Sequence, residues 1–168
     1  VFFQNLDDMA VFVNKGLVRP EQAERLPGSD VDLTRFVPTP PLPPLLRPAD
    51  APVFLLVARM LWDKGVGEYV EAARRVRALH PGARFQLLGF LDVDNPSAIS
   101  RQQMNDWVAE GMADYPRRTD DVRRFLTQAD CVVLPSYREG VCRAPCWKPQ
   151  HGSPRHHHRC AGLPGYGD

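Results

Sequence analysis

Between residues 53 and 134 short, mainly apolar runs alternate with longer segments of helical period. Val53–Ala58 reads VFLLVA without a polar residue, the pattern of a strand covered on both faces. Val66–Leu79 follows, with Val66, Tyr69, Val70, Ala73, Val76 and Leu79 along one helical face, and Pro81-Gly82 ends it. Phe85–Leu88 gives a second strand that stops at Gly89. Ser97 is expected to cap a helix that turns Met104, Trp107 and Val108 inward. Thr119, with Asp120 and Asp121 behind it, is expected to open another helix, packed through Val122, Phe125 and Leu126. Cys131–Leu134 is the third strand. Strands and helices in this order predict an α/β fold, a parallel sheet with helices on both faces. Such sheets take their ligands beyond the carboxyl ends of the strands, so the loops after each strand matter most.

Four segments are expected along the chain. Residues 1–37 form an entry segment that begins mid-fold: Val1–Gln4 completes a strand, and Asn5, Asp7 and Asp8 favour a turn or helix start. Residues 38–52 form a connector, because prolines at 38, 40, 41, 43, 44, 48 and 52 remove backbone donors and favour extended geometry. Residues 53–141 form the ligand-binding domain, and residues 142–168 a tail of different character.

A formal net charge of +1 leaves no basic excess for nucleic acid. No apolar run approaches the roughly 20 residues that span a bilayer. The N-terminus lacks the basic and apolar regions of a signal peptide, so a cytoplasmic setting is expected. The four cysteines, Cys131, Cys142, Cys146 and Cys160, crowd into the last quarter, a distribution suited to reduced thiols rather than a disulfide framework.

Two strand-end loops carry candidate chemistry. The first, ARMLWDKG, puts Arg59 and Lys64 at the carboxyl edge just before a helix, where an anion would sit. A guanidinium fork plus an ammonium suits a diphosphate. The same pair also reads as solvated charges matched with Asp63 or Glu68. The second loop, PSYREGV, carries Glu139 and Gly140, the glycine allowing close backbone approach to a ligand. Glu139 equally reads as a surface carboxylate beside Arg138 or Arg143.

Taken together, FQNLDDMAVFV at 2–13, LPGSDVD at 26–32, VARMLWDKGVGEYVEAAR at 57–74, LLGFLD at 87–92, TDDVRRFL at 119–126 and ADCVVLPSYREGV at 129–141 resemble, in order, the C-terminal half of family-4 (group 1) glycosyltransferases. The resemblance implies a GT-B enzyme of two facing Rossmann-like domains, of which this chain holds an incomplete donor-binding domain. It implies a retaining, metal-independent transfer from a nucleotide-sugar, a UDP-sugar by preference, to a glycan or lipid-linked acceptor, as in polysaccharide synthesis. Arg59 and Lys64 would then stabilise the departing diphosphate. Glu139 would be the first of two glutamates seven residues apart, touching the donor sugar, with Gly140 in the donor loop. No cofactor and no metal are expected. The acceptor domain would precede Val1, and the intact enzyme would work in the cytoplasm or peripherally at the inner face of the membrane. The chain departs from the family pattern at Asp30, where Gly is usual, and at Pro116-Arg117, where Leu-Gly is common.

After Val141 the expected text gives way to CRAPCWKPQHGSPRHHHRCAGLPGYGD, with Trp147 where the second glutamate belongs. Cys142, Cys146, His151, His156, His157, His158 and Cys160 could ligate zinc, but in no standard spacing, so a non-catalytic nucleotide-binding or Cys/His metal-binding module is the competing reading. Back-translation points elsewhere. From the third base of each codon, Val141–Pro149 can encode VPRALLEA, restoring the glutamate. From the second base, His151–Asp168 can encode MGRPVITTDAPGCRDTV. A disrupted reading frame is therefore the expected origin of the tail, and the chain alone is expected to be inactive.

Overall fold

The computed structural model describes residues 1–26, 51–91, 94–117 and 119–137. The Pro-rich connector before Ala51, Asp30, Glu139, Gly140 and the tail with its Cys/His group lie outside the described residues.

In residues 1–26, β1 (Phe2–Phe3) pairs in parallel with β2 (Glu24–Arg25), across α1 (Leu6–Asn14) and a 3₁₀ turn at Pro20–Gln22. The helix start expected near Asn5 is borne out. Asn5 Oδ1 accepts the Asp8 N–H at 2.7 Å, and Asn5 Nδ2 donates back to the Asp8 carboxylate at 2.9 Å. Asp7 and Asp8 also place negative charge at the positive end of the helix dipole.

The second part is built on a parallel sheet in the order β4-β3-β5, with β3 at Val53–Val57, β4 at Arg84–Leu88 and β5 at Cys131–Val132. The strand expected at Cys131–Leu134 is shorter as a ladder, although the Val133 N–H still donates to Leu55 O at 2.8 Å. Beyond β4 the chain adds a rudimentary further pairing, with Gln86 bridged in parallel to Asp114.

The continuous apolar runs do fill two faces. Phe54, Leu56, Phe85, Leu87 and Val133 join one core with α2 (Val66–Leu79) and α3 (Arg101–Ala109), through Val66, Tyr69, Val70, Ala73, Met104 and Trp107. Leu55, Val57, Leu88 and Val132 face the other core, closed by Phe125 and Leu126 of α4 (Arg123–Gln128). Alternate residues of each strand thus serve opposite layers, which is why no position of β3 could be polar.

Four helix details differ from expectation. Leu79 is 78% exposed and Val108 43% exposed, because each stands at the end of its helix and beyond the strands it covers. Ser100, not Ser97, caps α3, accepting the Gln103 N–H at 3.1 Å. Thr119 does not cap α4, which begins only at Arg123; its hydroxyl accepts the Asp121 N–H, and Asp121 in turn accepts the Arg123 N–H at 3.1 Å. A compact run of side-chain turns thus takes the place of the first helical turn.

Two backbone positions are sharply constrained. Gly89 has φ +151°, and a Cβ there would collide with the Ala58 carbonyl, so β3 and the loop leaving β4 pack at a distance only glycine allows. Arg117, where the family pattern has glycine, adopts φ +68°, a left-handed conformation that costs a side-chain-bearing residue energy. The departure seen in the sequence is therefore real backbone strain. Among the described residues no helix is long and apolar enough to cross a membrane.

Candidate functional site

The order β4-β3-β5 makes the site. The chain leaves β3, forms β4 on one side, and later returns to place β5 on the other. The strand order therefore changes direction at β3, and the loops leaving β3 and β5 stand next to each other at the carboxyl edge, the topological switch point where ligands of such sheets bind. Arg59 and Lys64 stand in the first of these loops, and the segment leading to Glu139 in the second.

The loop after β3 is held along its whole length. Ala58 N–H donates to Leu88 O at 3.1 Å, Met60 N–H to Phe90 O at 2.8 Å, and Trp62 N–H to Ser97 O at 2.9 Å. Met60 is fully buried, so the loop is anchored between an exposed Arg59 and a 3₁₀ turn at Trp62–Lys64. Trp62 lies over Gly67, where a Cβ would stand 2.7 Å from the indole, and meets Trp107 edge-on at 5.8 Å. Lys64, half-buried, ends the turn, and Gly65 follows with φ +70° to swing the chain into α2.

Asp63 and Glu68, the two carboxylates nearest in sequence to these cations, each accept a hydroxyl from a neighbouring side chain. Asp63 Oδ1 accepts the Ser97 hydroxyl at 2.8 Å, and Glu68 accepts the Tyr137 phenol. Ser97, expected as a helix cap, thus serves this loop instead. Among the described residues Arg59 makes no ion pair. An exposed guanidinium on a rigid base, followed by an ammonium at the mouth of a helix, presents positive charge where the sheet opens.

The loop after β5 docks directly on this base. A Cβ on Gly65 would collide with the Pro135 carbonyl, so the two loops touch backbone to backbone. The Tyr137 N–H donates to Asp63 O at 3.1 Å. The Tyr137 hydroxyl reaches Glu68, and this hydrogen bond, followed by the carboxylate's charge and then slight burial, raises its pKa. Ser136 is completely buried, with no hydrogen-bond partner for its hydroxyl among the described residues. Sequence reading missed Gly65, Ser136 and Tyr137, and offered Glu68 only as a partner for the cations. The only hint was Gly65 at a strand-to-helix turn, since contacts between residues some 70 positions apart leave no local trace.

Among the described residues no group of three or more His, Cys, Asp or Glu could hold a metal ion. Cys131 is buried in β5, its Sγ 3.8 Å from Val132 O.

A family model described as glycosyl transferases group 1 matches residues 51–146, more than half of the chain. The chain is 38% identical over 89 residues to the N,N'-diacetylbacillosaminyl-diphospho-undecaprenol alpha-1,3-N-acetylgalactosaminyltransferase of Campylobacter jejuni; the match covers 53% of this chain and 22% of that protein. Among solved structures it is similar to a glycosyltransferase from Rickettsia africae (TM-score 0.64, 16% identity, 85% of this chain and 40% of that one). Sucrose-phosphate synthase from Thermosynechococcus elongatus matches at TM-score 0.62 and 22% identity, over 83% of this chain and 35% of that one. Anabaena HepE, solved with UDP and glucose, matches at TM-score 0.57 and 16% identity, over 82% of this chain and 38% of that one. The chain spans less than half the length of each of these relatives. These structures share the expected Rossmann-like α/β fold, and the sequence match sets the family: this chain belongs to the group 1 glycosyl transferases.

Proposed function

We propose that the chain is the donor-nucleotide part of a retaining glycosyltransferase that moves a sugar from a nucleotide diphosphate, UDP by preference, to a lipid-linked or glycan acceptor. The observation that carries this reading is the rigid loop that holds Arg59 and Lys64 at the switch point of the sheet. As the glycosidic bond to phosphate breaks, positive charge grows on the sugar and negative charge on the departing diphosphate. Cations fixed in advance on a braced backbone stabilise that charge without reorganising, which lowers the barrier. In this reading Arg59 and Lys64 do that work, no metal or other cofactor is needed, and Glu139 with Gly140 contacts the donor sugar.

The Campylobacter jejuni relative is named for transfer onto a diphospho-undecaprenol-linked sugar. A similar acceptor suits this chain, with the intact enzyme working peripherally at the cytoplasmic face of the membrane. Nucleic acid has no place in the scheme. Trp147 stands where the second glutamate is expected, so the chain as it stands binds donor weakly and completes no transfer.

Calorimetric titration with UDP, with and without a chelator, tests this. Weak saturable binding that ignores the chelator and falls about tenfold or more in Lys64→Ala is expected, from loss of a charge-assisted contact. Equal UDP affinity in wild type and Lys64→Ala would falsify the assignment. Tight zinc binding by the Cys/His tail without any UDP binding would favour the metal-module reading instead.

A further inference from the structure

We propose that Tyr137 is a positioning residue: its backbone N–H on Asp63 and its phenol on Glu68 clasp the loop after β5 to the loop after β3 and so fix where Lys64 presents its charge. This rests on the donor-diphosphate role proposed for Lys64.

Lys64 is bracketed by the clasp. On one side Asp63 gives its carbonyl to the Tyr137 N–H and its carboxylate to the Ser97 hydroxyl. On the other side Gly65 abuts the Pro135 carbonyl at a spacing that excludes any Cβ. Glu68, one turn into α2, takes the Tyr137 phenol and ties the same loop to the helix that Lys64 introduces. Residues 135–137 therefore meet residues 63–68 at three independent points, and Lys64 lies among them.

Tyr137 is itself 64% exposed, so its ring fills no core and packing does not account for its placement. What its two hydrogen bonds do is hold two loops in register. The benefit is pre-organisation, since a cation already in place need not be ordered when the phosphate arrives. Only one side-chain bond joins Tyr137 to Glu68, so removing either partner should have the same consequence.

A double-mutant cycle on the full chain separates this from a general structural role. UDP affinity and the urea midpoint are measured for wild type, Tyr137→Phe, Glu68→Ala and the double variant. Each single substitution is expected to weaken UDP by roughly three- to tenfold, the double no further than either, with urea midpoints close to wild type. UDP affinity unchanged in both single variants while Lys64→Ala loses it overturns the clasp alone. Additive losses, or losses that track a lowered urea midpoint, also overturn it. A wild-type chain that binds no UDP removes the diphosphate reading, and the clasp with it.

Discussion

Both edges of the β4-β3-β5 sheet carry a pair of cations, but they are held in opposite ways. At the amino edge Arg84 pairs with Asp114 at 3.0 Å with both side chains more than half exposed, and Arg77 donates to the Gly111 carbonyl. Their charge is spent locally, in contacts that contribute little to stability in high dielectric. At the carboxyl edge the backbones around Arg59 and Lys64 are fixed by hydrogen bonds and by glycines pressed against neighbouring carbonyls, while Arg59 stays exposed. A rigid backbone beneath an exposed guanidinium distinguishes a binding edge from a merely charged one.

The sharpest way to break that contrast is at Gly89. Gly89→Ala drives a methyl into the Ala58 carbonyl and should cost more than about 3 kcal/mol, or leave no folded protein, because backbone has nowhere to move. Gly16→Ala is the control: its φ is also left-handed, at +66°, but open space surrounds it, so only the conformational cost of about 1 kcal/mol applies. Urea denaturation of the two variants measures the difference. Equal midpoints would mean that close packing at the carboxyl edge is not what holds the loop.

Next in size is the core beneath. Leu56 and Leu55 are both fully buried, but Leu56 faces the larger layer under α2 and α3, and Leu55 the smaller one under α4. Truncation to Ala should cost about 2–5 kcal/mol, with Leu56 towards the upper end because its better-packed surroundings collapse less. A larger loss at Leu55 would show that α4 packs more tightly than its six residues suggest.

Comparing the two charged edges directly gives a smaller, more specific effect. Lys64→Ala should weaken UDP about tenfold, roughly 1.4 kcal/mol, with little change in stability. Arg84→Ala, at the opposite edge, should leave UDP affinity unchanged. Parallel losses would mean that the nucleotide is attracted by overall charge rather than received at the switch point.

How much of this was legible in the sequence follows from the range of the forces involved. β3, β4 and α2 are plain in the chain because burial on two faces or along one stripe imposes a period on adjacent residues. The family motifs marked Arg59 and Lys64 for the same reason: the loop lies within one short stretch. Helix ends were less legible. Leu79 and Val108 continue the apolar period but overrun the surface they were meant to cover. Ser97 and Ser100 are equally good caps by type, and only the fold sends Ser97 to Asp63. β2, at Glu24–Arg25, carries no apolar signal because both residues are exposed and backbone pairing alone defines it. The clasp through Tyr137 was invisible, since it depends on bringing two distant loops together.

The smallest prediction runs the other way, towards greater stability. Arg117 holds φ +68°, while its carbonyl accepts the Gly89 N–H at 3.3 Å, so the strained residue braces the same edge that Gly89 closes. A left-handed backbone costs a residue with a Cβ about 1–2 kcal/mol, whereas glycine adopts it freely. Glycine also gains entropy in the unfolded chain, which takes back part of that advantage. Arg117→Gly should therefore stabilise the chain by a net of roughly 0.5–1 kcal/mol, seen as a higher urea midpoint at unchanged slope. UDP affinity should hold or tighten slightly, because the bond from Gly89 is kept and its support relaxes. A lowered midpoint would mean that the Arg117 side chain contributes more to this edge than its backbone costs.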